Sequence, residues 1–102
     1  SDSKVFIKTF ALKVYEDINP ILNSLREGYT IAIIDIKTLK SKDVVELKRA
    51  ISKVKKTVEA LEGKIAGFGE NTVIATPSKV FEIKKGNTDV QDTLKDNEIE
   101  KF

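Results

Sequence analysis

The clearest structural signal in this chain is the stretch Gly63-Lys64-Ile65-Ala66-Gly67-Phe68-Gly69-Glu70-Asn71-Thr72-Val73-Ile74-Ala75-Thr76-Pro77-Ser78. It predicts a hairpin over Gly67–Thr76, two short apolar strands joined by a tight turn, because glycine and Glu70-Asn71 supply turn chemistry. Pro77 has no N–H to donate to a strand ladder, so the second strand should end there. Gly67 and Gly69 permit backbone geometry, or a close approach, that a side chain would block.

Hydrophobic periodicity predicts the remaining elements around this hairpin. The second helix should carry an apolar stripe with spacings of three and four, beginning at Val44 and ending at Leu61. Gly28 and Gly63 are the expected helix stops. In chain order the predicted elements are a strand over Val5–Leu12, a helix over Tyr15–Arg26, a strand over Thr30–Ile36, a helix from Ser41 or Asp43 to Leu61, the hairpin, and an edge strand over Val80–Ile83.

These elements predict one α/β domain over residues 5–85, an α+β sandwich of about five strands and two helices in the order βαβαβββ. Residues 1–4 are interpreted as the remnant of a linker. From Gly86 to Phe102 five acids stand against two lysines, which predicts a disordered acidic tail of charge −3. Since the whole chain carries +2, the residues before this tail carry +5.

The composition gives little support to catalysis. The chain has no His and no Cys, so an imidazole base, a thiol nucleophile and a nitrogen- or sulfur-rich metal site are excluded. Asp35 ends the second predicted strand, but no second carboxylate or phosphate loop accompanies it, and a capping role is far commoner. We therefore expect neither an enzyme nor a bound cofactor or metal.

Both faces of the predicted strands are apolar. In the second strand Ile31 and Ile33 alternate with Ala32 and Ile34, and the hairpin behaves similarly. Helices on opposite faces would explain this pattern. Right-handed crossovers that advance in one direction would instead place both helices on one face. The other face would then need a cover, most simply a second copy of the chain.

Several of these features resemble SepF-like cell-division proteins, in particular the archaeal type, over about Val5–Ile83. The resemblance is carried by the Tyr15-Glu16-Asp17 helix start, the Gly28 stop, the Ile31–Asp35 strand, the Gly63 stop and the Gly69-x-Asn71…Pro77 hairpin. The acidic tail and Ala66-Gly67-Phe68 depart from the family pattern, which leaves the details of peptide docking and the identity of the partner open.

The resemblance implies a homodimer, possibly a polymer, that binds the C-terminal peptide of the tubulin-like GTPase FtsZ. It also implies an upstream membrane-binding segment, which places the protein in the cytoplasm at the inner face of the division-site membrane. The acidic tail could compete with an acidic peptide for lysines. Carried over to this chain, the implied peptide-binding residues are Gly67, Phe68 and Val73, with Ile51, Lys55 and Val58 as weaker candidates, and the implied dimerisation or structural residues are Gly69, Asn71 and Pro77.

Each of these residues also has an ordinary structural interpretation. Ile51 and Val58 more often serve core packing, and Gly67 and Gly69 equally suit tight strand packing. The main rival function is a lysine-rich dimeric nucleic-acid-binding protein. Against it, the chain has only two arginines and the domain has a modest net charge of +5. A regulatory small-molecule-binding domain of the βαβαββ kind is a second rival, although no polar pocket is recognisable in the sequence.

Overall fold

The computed structural model describes residues 4–86, and residues 1–3 and 87–102, with most of the predicted linker and tail, lie outside the described part. Hydrogen bonding over the described residues defines four strands and three helices. In chain order they are β1 Phe6–Ala11, α1 Ile18–Glu27 (preceded by a 3-10 turn at Tyr15–Asp17), β2 Thr30–Asp35, α2 Lys37–Lys42, α3 Val44–Ala60, β3 Ile65–Phe68 and β4 Thr72–Ala75.

The four strands form a single mixed sheet in the order β1-β2-β4-β3. β1 and β2 are parallel, with Phe10 opposite Ile34, and β4 runs antiparallel to both of its neighbours. β3 is therefore parallel to β2, one strand further along. Both crossovers, through α1 and through α2–α3, advance in the same direction across the sheet.

Local hydrogen bonds fix where the first helix begins and ends. The Asp17 carboxylate accepts from the backbone N–H groups of Lys13 (2.8 Å) and Val14 (3.0 Å), which holds the chain at the helix start. Gly28 ends the helix in the left-handed conformation, at φ 90°, and its N–H donates to the Leu25 carbonyl. The predicted Tyr15 start and Gly28 stop therefore agree with the structure.

The prediction of two helices was wrong, because α2 separates β2 from the long helix. The Asp35 carboxylate accepts from the Lys37 N–H at 2.9 Å, and Leu39 is buried against the core, so the segment after β2 turns directly into a helix. Asp43 interrupts the helical path with an extended backbone, and its side chain caps α3 by accepting from the Glu46 N–H at 3.1 Å. The predicted cap at Asp43 agrees with the start of α3, but α2 contains one apolar residue, Leu39, and so shows no helical period in the sequence.

Along α3, the buried face follows the predicted stripe except at its first position. Val44 is 45% exposed because it lies in the first turn of the helix, beyond the core. The buried residues of α3 are Leu47, Ala50, Ile51, Val54 and Val58.

The predicted edge strand at Val80–Ile83 is absent from the sheet formed by residues 4–86. Ser78 captures the amides that a strand would use, since its hydroxyl accepts from the Val80 N–H and its carbonyl accepts from the Phe81 N–H, both at 3.3 Å. Val80 is 81% exposed in this turn. The described sheet therefore has four strands where about five were predicted. The hairpin also begins earlier than predicted, because Gly67 lies inside β3 and the turn is Gly69-Glu70-Asn71.

All the helices pack on one face of this sheet. Ala32 and Ile34 of β2 and Val73 and Ala75 of β4 point into the same core as the apolar sides of the helices. Phe10 of β1 packs against that core from the edge. The molecule is therefore a two-layer sandwich of one helical layer on one sheet.

We expect Gly63→Ala to destabilise the fold. A Cβ at residue 63 would collide with the backbone carbonyl of Thr76, which is itself fixed beside β3, so the neighbour cannot move aside cheaply. The expected loss in the free energy of unfolding is about 1–3 kcal/mol, measured by urea denaturation. Gly86→Ala is the matched control, since an added Cβ there meets no atom within 4 Å. Equal midpoints for the two variants would contradict the steric account.

Candidate functional site

The face of the sheet opposite the helices is apolar, and no helix within residues 4–86 packs on it. Because side chains alternate along each strand and Ala32, Ile34, Val73 and Ala75 point to the helices, the residues between them point the other way. The register places Ile7 beside Ile31, Ile33 beside Ile74, and Ile74 beside Ala66. We call this surface the open face. Its strand positions are Ile7, Thr9, Ala11, Ile31, Ile33, Asp35, Ala66, Phe68, Thr72 and Ile74.

Polar groups on the open face lie mainly at one end. Asp35 is the one charged residue among its strand positions, and it occupies the last position of β2, opposite Thr72. Ile7 and Phe68, on the two outer strands, are 66% and 46% exposed. Ile33 and Ile74 on the inner strands are half-buried by their neighbours. A contiguous apolar surface of this kind typically marks an interaction site.

The turn between β3 and β4 is fastened to the helical layer. The Lys40 ammonium of α2 donates to the Glu70 carbonyl at 2.7 Å, and the Ile36 N–H donates to the Asn71 carbonyl at 2.8 Å. Gly69 adopts φ 67°, in the left-handed region that favours glycine. Gly69 and Asn71 therefore hold Phe68 in position through their backbones.

The candidate residues implied by the family resemblance do not lie on one surface. Ile51, Val58 and Val73 belong to the core between the two layers, with exposures of 0%, 1% and 0%. Gly67 is also buried, and Pro77 lies buried just beyond β4. Phe68 is on the open face, so it is accessible from the side opposite the helices.

Lys55 lies on the helical layer, which carries the positive charge of the domain. Its ammonium is 3.9 Å from the Glu59 carboxylate one turn along α3. Residues 37–60, which contain α2, α3 and the Asp43 between them, hold eight cations against Asp43, Glu46 and Glu59, a net charge of +5. The cations are Lys37, Lys40, Lys42, Lys48, Arg49, Lys53, Lys55 and Lys56.

Arg49 has a structural role within this basic layer. Its guanidinium donates to both carboxylate oxygens of Glu46, at 2.9 and 3.2 Å, and lies over the Tyr15 ring at 3.8 Å from the ring centre. Such stacking and bidentate pairing order a long side chain. The lysines at 48, 53 and 56 are exposed, so they set the electrostatic character of the surface.

Sequence reasoning missed the isoleucines of the open face as site residues. The signal was present, since Ile31 and Ile33 alternate with residues that face the core, but only the strand register shows that Ile33 and Ile74 are adjacent.

The described residues contain no group of three or more carboxylate, imidazole or thiol side chains that could hold a metal ion. Over the same range, no helix has the length and apolar character needed to cross a membrane.

Comparison with known proteins identifies the family to which this chain belongs. A family profile described as "Cell division protein SepF" matches residues 7–81, which is most of the chain and nearly all of the sheet and helices. The chain belongs to the SepF family. SepF is a family of cell-division proteins, so the protein is a cell-division protein. A comparison with curated proteins gave no match.

Solved SepF-like structures share the fold. The SepF-like protein from Archaeoglobus fulgidus is 26% identical, with a TM-score of 0.70, and the alignment covers 85% of this chain and 99% of that one. The SepF-like protein from Pyrococcus furiosus is similar in fold, with a TM-score of 0.71 at 23% identity, over 82% of this chain and 99% of that one. Both neighbours are archaeal, as the resemblance implied.

The different positions of Val73 and Phe68 predict different effects of truncation. Val73→Ala removes methyl groups from a fully buried site and should cost about 2 kcal/mol of unfolding free energy. Phe68→Ala acts on a side chain that is 46% exposed and should cost about 1 kcal/mol or less. Urea denaturation at the lowest workable protein concentration measures both. A larger loss for Phe68→Ala would contradict the assigned burial.

Proposed function

We propose that this SepF-family protein is a non-enzymatic adaptor that dimerises through the open face and binds the C-terminal peptide of FtsZ. An N-terminal segment upstream of the described residues would hold the dimer at the inner face of the membrane at the division site. The observation that carries the proposal is an apolar sheet face with no helix of its own. A polar face would be expected if the chain acted as a monomer.

The hydrophobic effect supports a second copy as the cover of the open face. Full burial of an isoleucine side chain contributes about 1.5–3 kcal/mol, and Ile7, Ile31, Ile33 and Ile74 are each partly accessible. A two-fold axis lets one self-complementary patch bury its equivalent. The absence of charge from the middle of the patch avoids burying an unpaired ion. In such a dimer both helical layers would face outward.

Phe68 is the best-supported contact for the FtsZ peptide among the residues implied by the resemblance. Exposed aromatic side chains often anchor peptides, and Phe68 lies on the outer strand of the sheet, where a peptide could reach it from the side of the dimer. Gly67, Val73, Ile51 and Val58 are buried, so they would act only through packing. Lys55 lies on the opposite, helical layer, so it would contribute only a long-range charge.

An adaptor of this design gains strength from avidity. A dimer would present two peptide sites and two membrane attachments, so contacts that are individually weak would together retain a polymer at the membrane.

The basic helical layer, with a net charge of +5, supports the alternative of nucleic-acid binding, because clustered lysines neutralise phosphates. The two candidates predict different ligands for different surfaces.

The proposed dimer predicts that Ile33→Asp and Ile74→Asp give monomers. Each change places a carboxylate in the middle of the open face, on a side chain that is outside the core. Light scattering should report twice 11.4 kDa for the parent chain and 11.4 kDa for either variant. Val45→Asp is the matched control, because Val45 is 71% exposed on α3 and should leave the dimer intact. Dimers that survive both open-face changes would refute this interface.

The proposed partner predicts saturable binding of a labelled FtsZ C-terminal peptide, measured by fluorescence anisotropy. Phe68→Ala should weaken binding about tenfold or more, as expected for an aromatic anchor. Tyr29→Ala is the control, because Tyr29 is also an exposed aromatic residue but lies just before the start of β2. Phe68 lies near the other end of β2, where the register pairs Phe68 with Thr72 and Thr72 with Asp35.

Binding of a DNA duplex, measured by the same anisotropy assay across a series of salt concentrations, distinguishes the nucleic-acid-binding alternative from the adaptor. Binding of the duplex that falls steeply with salt and is lost when Lys48, Lys53 and Lys56 are changed to Glu, without peptide binding, would favour the nucleic-acid function. Peptide binding without a response to DNA would support the adaptor.

A further inference from the structure

Both acids of α3 are paired with cations of the same helix. Glu46 accepts from the Arg49 guanidinium at 2.9 and 3.2 Å, and the Glu59 carboxylate lies 3.9 Å from the Lys55 ammonium. The other cations of α3 have no ion-pair partner within residues 4–86, so their charge is uncompensated there. These cations are Lys48, Lys53 and Lys56.

The three lysines lie on the solvent side of α3, opposite its buried stripe. With about 3.6 residues per turn, Val45, Arg49 and Lys56 fall on one line along the helix. Lys48 and Lys53 flank this line, one on each side. From Val45 to Lys56 the line is about 16 Å long. The helix therefore presents an elongated basic surface to solvent.

This excess of positive charge is confined to one side of the helical layer. α1 belongs to the same layer, and its charged residues are one arginine and one glutamate, Arg26 and Glu27. α2, next to α3, instead adds three lysines and no acid. A surface that only needed to be soluble would mix both signs, as α1 does. The charge on α2 and α3 favours an anionic ligand.

Two exposed valines lie among these cations. Val44 and Val45 begin α3 and are 45% and 71% exposed, with Lys42 before them in the chain and Lys48 one turn after them. Apolar side chains surrounded by lysines match the boundary between lipid headgroups and acyl chains. There the valines enter the apolar layer, and the ammonium groups meet the phosphates of the headgroups.

A nucleic acid fits this surface less well. The one arginine of α3, Arg49, is held by Glu46 and lies over the Tyr15 ring at 3.8 Å from the ring centre, so its guanidinium is already engaged. Residues 37–60 contain no aromatic side chain on which a base could stack. The exposed valines would have no role against a phosphate backbone.

We propose that the outer surface of α2 and α3 binds the surface of an anionic lipid bilayer. Val44 and Val45 lie at the level of the headgroups, and the unpaired lysines of α3 contact the phosphates. The inference rests on the proposed function, which places the protein at the membrane, and it adds a contact made by the folded domain itself. In the proposed dimer the helical layers point away from each other, so one layer can lie on the bilayer while the other remains in water.

The first test measures sedimentation of the 102-residue chain with vesicles of phosphatidylglycerol and phosphatidylcholine in equal parts. One variant combines Lys48→Gln, Lys53→Gln and Lys56→Gln. A lysine near an anionic surface strengthens binding about fivefold, so the triple change should weaken binding about a hundredfold. Raising the salt concentration should weaken binding of the parent chain, because the attraction is largely between charges.

The matched control combines Lys4→Gln, Lys8→Gln and Lys79→Gln. These three lysines are exposed and lie on or before β1 and after β4, outside α2 and α3, and their loss changes the net charge by the same amount. The control should bind vesicles within about threefold of the parent chain, since distant charges are screened. Equal losses in the two triple variants would overturn the proposal, because net charge alone would then explain the binding.

The second test uses the absence of tryptophan from the chain. With Val45→Trp, the added vesicles should shift the emission to shorter wavelength, and brominated acyl chains should quench it. Val80→Trp is the control, because Val80 is 81% exposed in the turn after β4 and should keep the emission of an indole in water. Equal shifts at both positions, or none at residue 45, would overturn the assigned orientation.

The remaining outcomes separate this contact from the proposed function. Equal binding to vesicles of phosphatidylcholine alone would contradict a role for the lysines. Binding of a DNA duplex that depends on Lys48, Lys53 and Lys56, without binding to vesicles, would assign the surface to a nucleic acid instead. A chain that is dimeric and binds the FtsZ peptide but not the vesicles would overturn the bilayer contact and leave the adaptor standing.

Discussion

The whole arrangement depends on the handedness and direction of two crossovers. β1 leads through α1 to β2, and β2 leads through α2 and α3 to β3, which is parallel to β2 and further along the same sheet. Right-handed crossovers that advance in one direction place their helices on one face. The apolar core therefore lies between the helices and one face of the sheet. On the other face, no described helix covers Ile31, Ile33 and Ile74. The proposed dimer would bury these side chains.

Charge follows the same division into layers. The basic residues are concentrated on α2 and α3, whereas the open face has Asp35 at one end and apolar residues in the middle. A face without charge in its centre is suited to burial against a copy of itself, and a lysine-rich face is suited to remain in water and attract anionic segments. An acidic partner peptide would therefore be attracted by the basic layer, while its proposed apolar contact, Phe68, lies at the outer edge of the open face.

Sequence patterns predicted the elements that periodicity and turn chemistry define locally. Gly28, Gly63 and Pro77 end their elements where expected, and α3 buries its predicted stripe from Leu47 onward. The extra strand at Val80–Ile83 failed because Ser78 provides competing local hydrogen bonds. α2 was missed because its six residues include one apolar residue, Leu39, which is too few to show a helical period. The site was harder to predict, because Phe68 and Val73 are neighbours in the hairpin but point to opposite faces, and pairing between distant strands decides which isoleucines meet.

The central claim, that the open face is the interface between two copies, is tested most directly by isotope-filtered NMR on a mixture of carbon-13-labelled and unlabelled chains. This measurement detects only contacts between different molecules. The account predicts intermolecular contacts among the methyl groups of Ile31, Ile33 and Ile74, the inner positions of the open face. Intermolecular contacts confined to α2 and α3, or no such contacts at concentrations where the mass is that of a dimer, would contradict it.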